Sequence, residues 1–124
     1  LWIERVDYGE LAEYIKNADV CLGIFGNTPK TQRVIPNKVY EAIAMGRAVI
    51  SSDTPAIREL FIDRENILLC KVANSDDLAK KILELKNNPD LRYKIANNGY
   101  KIFKNSGTPK MIGEKLFQDL KILL

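Results

Sequence analysis

Short apolar runs and helical patterns alternate along the first 72 residues of the chain. Three runs have the length of strands and are nearly continuous in apolar residues, as strands buried on both faces of a parallel sheet are: 19–25 (DVCLGIF), Ala48–Ser52 and 67–72. Apolar positions at helical spacing predict a helix at Tyr8–Asn17 and a shorter one at 38–45. The alternation indicates strands joined by helical crossovers.

Four further helices are predicted, one between the second and third apolar runs and three after residue 72. Each is marked by a capping residue followed by a first-turn proline or acidic residues, at Asp53-Thr54-Pro55, Ser75-Asp76-Asp77, Asn88-Pro89-Asp90 and Gly107-Thr108-Pro109. The first of these is expected to be short and to end near residue 60. The order of elements predicts an α/β fold, a Rossmann-like parallel sheet with helices on both faces and a helical C-terminal part.

The predicted helix at 38–45 has two different faces, with Asn37 as its expected N-cap and Gly46 as the glycine that ends it. The face expected to pack on the sheet is apolar and consists of Val39, Ala42, Ile43 and Gly46. The opposite face carries Lys38, Glu41 and Met45. Ligands of parallel sheets bind near helix N-termini, where free amides and the helix dipole favour phosphate.

Spacing alone leaves two interpretations of Lys38 and Glu41 open. They could form an ion pair on a solvated helix face. Alternatively, they could line a cleft in which the carboxylate accepts hydrogen bonds from ribose hydroxyls and the lysine faces phosphates. Trp2 and Tyr8 could stack on a nucleobase, but packing is the expected role because nothing in the sequence places them beside Glu41.

Composition narrows the chemistry that this chain can carry. Its 124 residues suit one domain, and 46% hydrophobic and 28% charged residues are typical of a globular protein. No apolar run approaches the roughly 20 residues of a membrane-spanning helix. The chain has no histidine, which removes the usual general base and the commonest metal ligand. Cys21 and Cys70 lie in apolar runs and are predicted to be buried thiols in core strands, as in a reducing cytosol.

The net charge of +3 is unevenly distributed. Residues 1–70 carry 8 Lys/Arg and 10 Asp/Glu, whereas residues 71–124 carry 11 and 6. The lysines of the second part are interspersed with acids along predicted helices. A solvated helical surface is therefore favoured over a surface for nucleic acid or anionic lipid.

Several motifs, in this order and spacing, resemble the C-terminal domain of family 4-type GT-B glycosyltransferases. They are ADV at 18–20, PNKVYEA at 36–42, AMG at 44–46, VIS at 49–51 and ENILL at 65–69. The helix starts SDDLA at 75–79 and NPDLR at 88–92 continue the similarity. The resemblance therefore spans nearly the whole chain.

The resemblance implies that residues 1–124 form a partial donor-binding domain that lacks its N-terminal acceptor domain. The implied enzyme is a retaining, hexosyltransferase-like protein of polysaccharide biosynthesis, which transfers sugar from a nucleoside-diphosphate sugar to a glycan or lipid-linked acceptor. It is expected to be cytoplasmic, with peripheral membrane contact of the full-length protein as an option. No nucleic-acid partner is expected.

The resemblance also assigns roles to residues. Glu41 corresponds to the glutamate that binds the donor ribose, and the backbone amides near Lys38 and Val39 to those that hold the diphosphate. The loop at Phe25, Gly26 and Asn27 is expected to face the sugar and phosphates. No metal or other cofactor is expected, because helix amides and basic side chains neutralise the leaving diphosphate. No catalytic residue is assigned to this chain.

Arg33 departs from the family pattern, since many members have a glutamate there that contacts the donor sugar. We therefore assign no role to Arg33. The resemblance also implies that the arginine and lysine that steady the leaving phosphates, and the acceptor domain, precede Leu1, so we expect the chain alone to show no transfer activity. Two alternatives stay open: a non-catalytic interaction domain of the same fold, which Arg33 favours, and a nucleotide-sugar epimerase, which the absence of histidine disfavours.

Overall fold

A computed structural model describes residues 2–124 of the chain. Its helices are α1 (Tyr8–Asn17), α2 (Asn37–Ala44), α3 (Pro55–Arg58), α4 (Ser75–Asn87), α5 (Pro89–Ile102) and α6 (Pro109–Leu123), with a π-helical segment, Phe103–Gly107, between the last two. The strands are β1 (Val20–Leu22), β2 (Ala48–Ser52) and β3 (Leu68–Cys70). Within this part of the chain, no helix is long and apolar enough to cross a membrane.

The three strands form one parallel sheet in the order β1-β2-β3. β2 is central and fully buried, with Ile50 paired to Leu22 on one side and to Leu68 on the other. Because the strands are parallel, their carboxyl ends lie at one edge of the sheet. The predicted α/β fold with a parallel sheet is confirmed.

Helices cover both faces of the sheet, as predicted. On one face, Val39 and Ile43 of α2 and Ile57 of α3 pack with Val49 and Leu69. The other face is covered by α4 and α5 and holds a second apolar cluster, made of Ala48, Ile50, Leu68, Cys70, Leu85, Ile95 and Ala96. Successive residues of a strand point to opposite faces, which is why neighbouring positions of β2 and β3 belong to different clusters.

The outer strands are shorter than the apolar runs that predicted them. β1 ends at Leu22, although the amide of Gly23 still donates to the Ile50 carbonyl at 2.8 Å. Leu22 is 45% exposed because β1 lies at the edge of the sheet. For the same reason Cys21 is only partly buried, which corrects the prediction of two buried thiols; Cys70 is buried.

Helix capping confirms some of the predicted starts and corrects others. The Thr54 hydroxyl caps α3, and Asn88 and Thr108 cap α5 and α6 as predicted. α4 is capped by Asn74, whose Oδ1 accepts from the Asp77 amide at 2.8 Å, rather than by the predicted Ser75. Ser75 instead begins the helix, because Asn74 has the extended backbone that a cap requires.

Candidate functional site

The buried face of α2 consists of the residues predicted for it. Val39, Ala42 and Ile43 are at most 1% exposed and belong to the cluster between α2 and the sheet. The helix ends in a Schellman motif: the Gly46 amide donates to the Ile43 carbonyl and the Arg47 amide to the Ala42 carbonyl, both at 3.0 Å. Gly46 has φ +65°, which explains why glycine stands there. This packing fixes which side chains of α2 face outward.

The outward face of α2 lies beside α1 and is not freely solvated. Glu41 is half-buried between two cavities, while Lys38 is exposed. One of these two cavities, called here the Lys38 cavity, has a volume of about 340 Å³. It is lined by Lys38 and Glu41, together with residues of α1 and β1. The two side chains therefore share the wall of a cavity and do not lie on a freely solvated helix face.

The second cavity, called here the Tyr8 cavity, lies on the other side of Glu41 and has a volume of about 290 Å³. Its lining comes from α1, α2 and the π-helical segment: Tyr8, Leu11, Ala12, Ile15, Tyr40, Glu41, Ala44, Met45 and Phe103. Tyr8 is 82% exposed, so it does not have the packing role expected for it. Sequence reasoning missed its position beside Glu41, because the contact between α1 and α2 is tertiary and has no local signal.

The N-terminus of α2 differs in one detail from the prediction. Pro36, with φ −70° and ψ 148°, occupies the N-cap position, and Asn37 is the first helical residue without a side-chain cap. Pro36 suits this place because its extended backbone leads into the helix and it has no amide to satisfy. Asn37 is therefore not the N-cap.

Two amides at the start of α2 are free to bind an anion. The Val39 amide already donates to the Pro36 carbonyl at 3.0 Å, so it is less available than predicted. Among residues 2–124, the amides of Asn37 and Lys38 donate to no acceptor. With the positive end of the helix dipole and the Lys38 side chain, they make this helix end attractive to phosphate.

The loop from β1 to α2 is held by its own polar side chains. The Thr31 hydroxyl donates to the Gly26 carbonyl at 2.7 Å, and the Thr28 amide donates to the Thr31 oxygen at 3.0 Å. The Ala56 amide donates to the Gln32 carbonyl at 3.3 Å, which ties the loop to α3. The loop is thus braced by its own hydrogen bonds and tied to α3 before α2 begins.

The predicted loop residues do not gather around Glu41. Phe25 points to the face of the sheet that α4 and α5 cover, and lines a separate cavity of about 260 Å³ with Ala73, Asn74, Ser75 and Leu78. Gly26 and Asn27 are exposed and line neither the Lys38 cavity nor the Tyr8 cavity. The alternation of side chains along β1 and its extension accounts for the position of Phe25.

Charge at the carboxyl edge of the sheet is mainly positive and unpaired. Lys30, Arg33 and Lys38 are exposed and form no ion pair within residues 2–124. The nearby carboxylate of Asp53 is engaged by Arg58, with Oδ2 2.7 Å from Nη2. This hydrogen bond and charge hold the pKa of Asp53 below its usual value. Asp53 is therefore not a free carboxylate for a ligand.

Comparison with known proteins identifies the class of this Rossmann-like domain. The chain matches the model of the glycosyl transferase-like family over residues 1–118, and it belongs to that family. It is 34% identical over 118 residues to an uncharacterized glycosyltransferase of Methanocaldococcus jannaschii. The match covers 94% of this chain but 32% of that protein, so the chain spans about a third of the length of this relative.

Two solved structures share the fold. One is the C-terminal domain of a group 1 glycosyl transferase, LpcC, from Francisella tularensis, with 27% identity, a TM-score of 0.66 and coverage of 87% of this chain and 52% of that one. The other is HepE of Anabaena in complex with UDP-glucose, with 18% identity, a TM-score of 0.76 and coverage of 88% and 29%. These matches confirm the prediction that the chain is similar to the C-terminal domain of GT-B glycosyltransferases.

Proposed function

We propose that this domain binds a nucleoside-diphosphate sugar at the N-terminal half of α2. Glu41 accepts hydrogen bonds from the donor ribose, while Lys38 and the free amides of Asn37 and Lys38 hold the diphosphate. The observation that supports this proposal is that Lys38 and Glu41 line one cavity of about 340 Å³ beside those amides. The site holds the diphosphate without a metal, because the amides and lysine supply the positive charge.

The sugar of the donor extends toward the loop at Gly26 and Asn27, next to the exposed Arg33. The full-length enzyme transfers it with retention to a glycan or lipid-linked acceptor, as a hexosyltransferase of polysaccharide biosynthesis. That HepE has been solved with UDP-glucose supports a nucleotide-sugar as the donor class. The chain by itself binds donor but does not turn it over, because transfer also needs an acceptor site outside the residues described here.

The proposal is tested by titrating UDP, GDP and their sugars into the 124-residue chain by isothermal calorimetry. Glu41→Ala removes hydrogen bonds to a charged acceptor, each worth about 1.5–3 kcal/mol, so the Kd should rise about 10- to 100-fold. Lys38→Met keeps the aliphatic stem and removes the charge, and should weaken binding of the diphosphate, more so at low salt. Glu13→Ala, on the exposed face of α1, is the matched control and should bind as the wild type.

Equal binding by wild type and Glu41→Ala would refute this use of the carboxylate. The absence of binding to any of these nucleotides would favour the non-catalytic interaction domain. Transfer of sugar by the purified chain, measured with a labelled donor, would contradict the expectation that the chain alone is inactive.

A further inference from the structure

A third cavity lies away from the residues proposed to bind the donor. Called here the α6 groove, it has a volume of about 650 Å³ and is larger than the Lys38 and Tyr8 cavities. Its apolar walls, which lie on either side between α6 and the segments before α2 and after α3, are formed by Ile35, Leu60, Met111, Ile112 and Leu116. Neither Lys38 nor Glu41 lines it, and it shares Tyr40 alone with the Tyr8 cavity. The α6 groove is therefore a separate candidate site.

The apolar walls of the α6 groove are only partly covered by the chain itself. Ile112 and Leu116 are 56% and 58% exposed, and no residue of Pro109–Leu123 is buried. Leu60 and Met111 are half-buried. A ligand that covers these side chains removes apolar surface from water, which is favourable in proportion to the area covered.

Polar side chains without a partner lie among the apolar ones. The carboxylates of Glu59 and Asp119 are exposed, and neither forms an ion pair within residues 2–124. In the same part of the chain, no hydrogen bond is made by the side chains of Asn105, Ser106 and Gln118. These groups are free to bond to a ligand that has hydroxyl groups.

The charges that line the α6 groove disfavour two other kinds of ligand. Three carboxylates and one cation line it, namely Glu59, Glu114, Asp119 and Lys115. Glu114 lies 3.9 Å from Lys110, which offsets part of this excess. A phosphate or an acidic sugar would still meet more negative than positive charge. An entirely apolar partner would take the carboxylates out of water without supplying a hydrogen bond.

An uncharged carbohydrate suits both parts of this lining. Its hydroxyl groups donate to carboxylates, and such hydrogen bonds are about twice as strong as those between neutral groups. Its C–H faces can lie on the aliphatic walls. Met111 and Asp119 both line the groove and are eight residues apart, which is about 12 Å along the axis of α6. The groove is therefore long enough for more than one sugar ring, and its volume lies within the roughly 300–1,000 Å³ of small-ligand sites.

Going beyond the proposed donor site, we propose that the α6 groove is a second binding site, which takes a short stretch of uncharged sugar residues. Glu59 and Asp119 accept hydrogen bonds from the sugar hydroxyls, and Leu60 and Leu116 lie against the sugar rings. The site works without a nucleotide, because Lys38 and Glu41 do not line it. It holds a glycan on the domain whether or not a donor is bound.

The site is tested by titrating the isotope-labelled 124-residue chain and recording its nuclear magnetic resonance spectrum. The probes are three uncharged oligosaccharides, maltohexaose, cellohexaose and mannohexaose, with UDP and hexalysine for comparison. At least one oligosaccharide should shift the backbone amide signals of Leu60, Met111 and Asp119 until they saturate. The signals of Lys38 and Glu41 should move with UDP and not with the oligosaccharide.

Removal of either carboxylate should weaken binding of the oligosaccharide. Glu59→Ala and Asp119→Ala each lose hydrogen bonds to a charged acceptor, so the Kd should rise about tenfold, while the Kd for UDP stays unchanged. Glu10→Ala removes an exposed carboxylate of α1 that does not line the groove, and it should bind as the wild type. Because all three side chains are exposed, the variants should keep the wild-type circular dichroism spectrum.

The inference is overturned if none of the three oligosaccharides produces saturable shifts, or if both carboxylate variants bind as tightly as the wild type. Shifts in the groove caused by hexalysine but by no oligosaccharide would also overturn it, since the groove would then be a site for a basic peptide. If UDP shifts Lys38 and Glu41 while no oligosaccharide binds, the groove proposal fails and the proposed donor site survives. If an oligosaccharide binds in the groove but UDP does not bind, the groove proposal stands and the donor site fails.

Discussion

Substitution of Gly23 by alanine is expected to destabilise the chain through one identifiable clash. Gly23 follows β1 and is buried under the first turns of α2. A Cβ added there would lie 2.5 Å from the Ser51 Oγ, 2.7 Å from the Ser51 Cβ and 3.3 Å from a methyl group of Val39. The Ser51 Cβ is bonded directly to the backbone of the central strand, so rotation of the hydroxyl cannot relieve the clash.

The magnitude follows from the cost of overpacking a buried site. Such insertions destabilise by about 1–3 kcal/mol, and the lower entropy of alanine in the unfolded chain offsets only about 0.4–1 kcal/mol. We expect Gly23→Ala to lower the free energy of unfolding by about 1–2 kcal/mol. At about 4 °C per kcal/mol for a chain of this size, the Tm should fall by roughly 4–8 °C.

Urea unfolding followed by circular dichroism measures this difference, and a second substitution identifies its cause. Ser51→Gly removes both atoms that the new methyl group meets, so the double variant Gly23→Ala/Ser51→Gly should be more stable than the sum of the two single effects by about 1 kcal/mol or more. Gly113→Ala is the matched control. Nothing lies within 4 Å of its added Cβ, and alanine is favoured inside a helix, so this variant should be slightly stabilised. Additive effects in the double variant, or a Gly23→Ala chain as stable as wild type, would refute this account of the contact.

Three further predictions concern positions outside the cavities. Gly46→Ala should cost about 1–2 kcal/mol in urea unfolding, because φ +65° strains any residue with a Cβ; an unchanged midpoint would contradict the left-handed backbone. In the native chain, iodoacetamide should modify Cys21 before Cys70, as measured by peptide mass spectrometry. Burial raises the pKa of both thiols, but only Cys70 is buried away from solvent and reagent; the opposite order of modification would refute this. Arg58 lowers the pKa of Asp53 in the folded chain. The Asp53–Arg58 pair therefore stabilises the fold fully above the unfolded pKa of about 3.9, and this stabilisation is lost as the pH falls through the lower pKa of the folded state. The urea midpoints of wild type and Arg58→Gln should therefore differ at pH 6 and converge below about pH 4, and a constant difference would be inconsistent with this pair.

Much of the fold could be predicted because its signals are local. The helix Tyr8–Asn17 and the strand Ala48–Ser52 have the predicted bounds, since periodicity and flanking polar residues mark both ends. Strand ends at the sheet edges could not be predicted, because an apolar run such as 19–25 continues beyond the last paired residue. The π-helical segment Phe103–Gly107 also had no signal. It follows α5 directly and its glycine packs against Phe103, a contact set by tertiary structure.

Only the part of the candidate site that lies on α2 could be predicted from the sequence. The wheel of α2 separates Val39 and Ile43 from Lys38 and Glu41 without any knowledge of the rest of the chain. Whether Glu41 faces water or a cleft depends on α1, and the position of Tyr8 depends on the same packing. The spacing of residues within one helix does not predict how that helix packs against a second helix.

The close approach of α5 to α2 at Gly99 has a consequence for how small a functional piece of this chain can be. A Cβ at Gly99 would lie 3.0 Å from a methyl group of Ile43 and 3.2 Å from the Asn66 carbonyl oxygen, so α5 supports α2 from below with no room between them. Of the second half of the chain, Phe103 lines the Tyr8 cavity and no residue lines the Lys38 cavity. The second half nevertheless fixes the position of α2, which forms a wall of both cavities. A truncation that keeps Lys38 and Glu41 but removes α5 would expose Ile43 to water, and the two side chains would lose their common orientation.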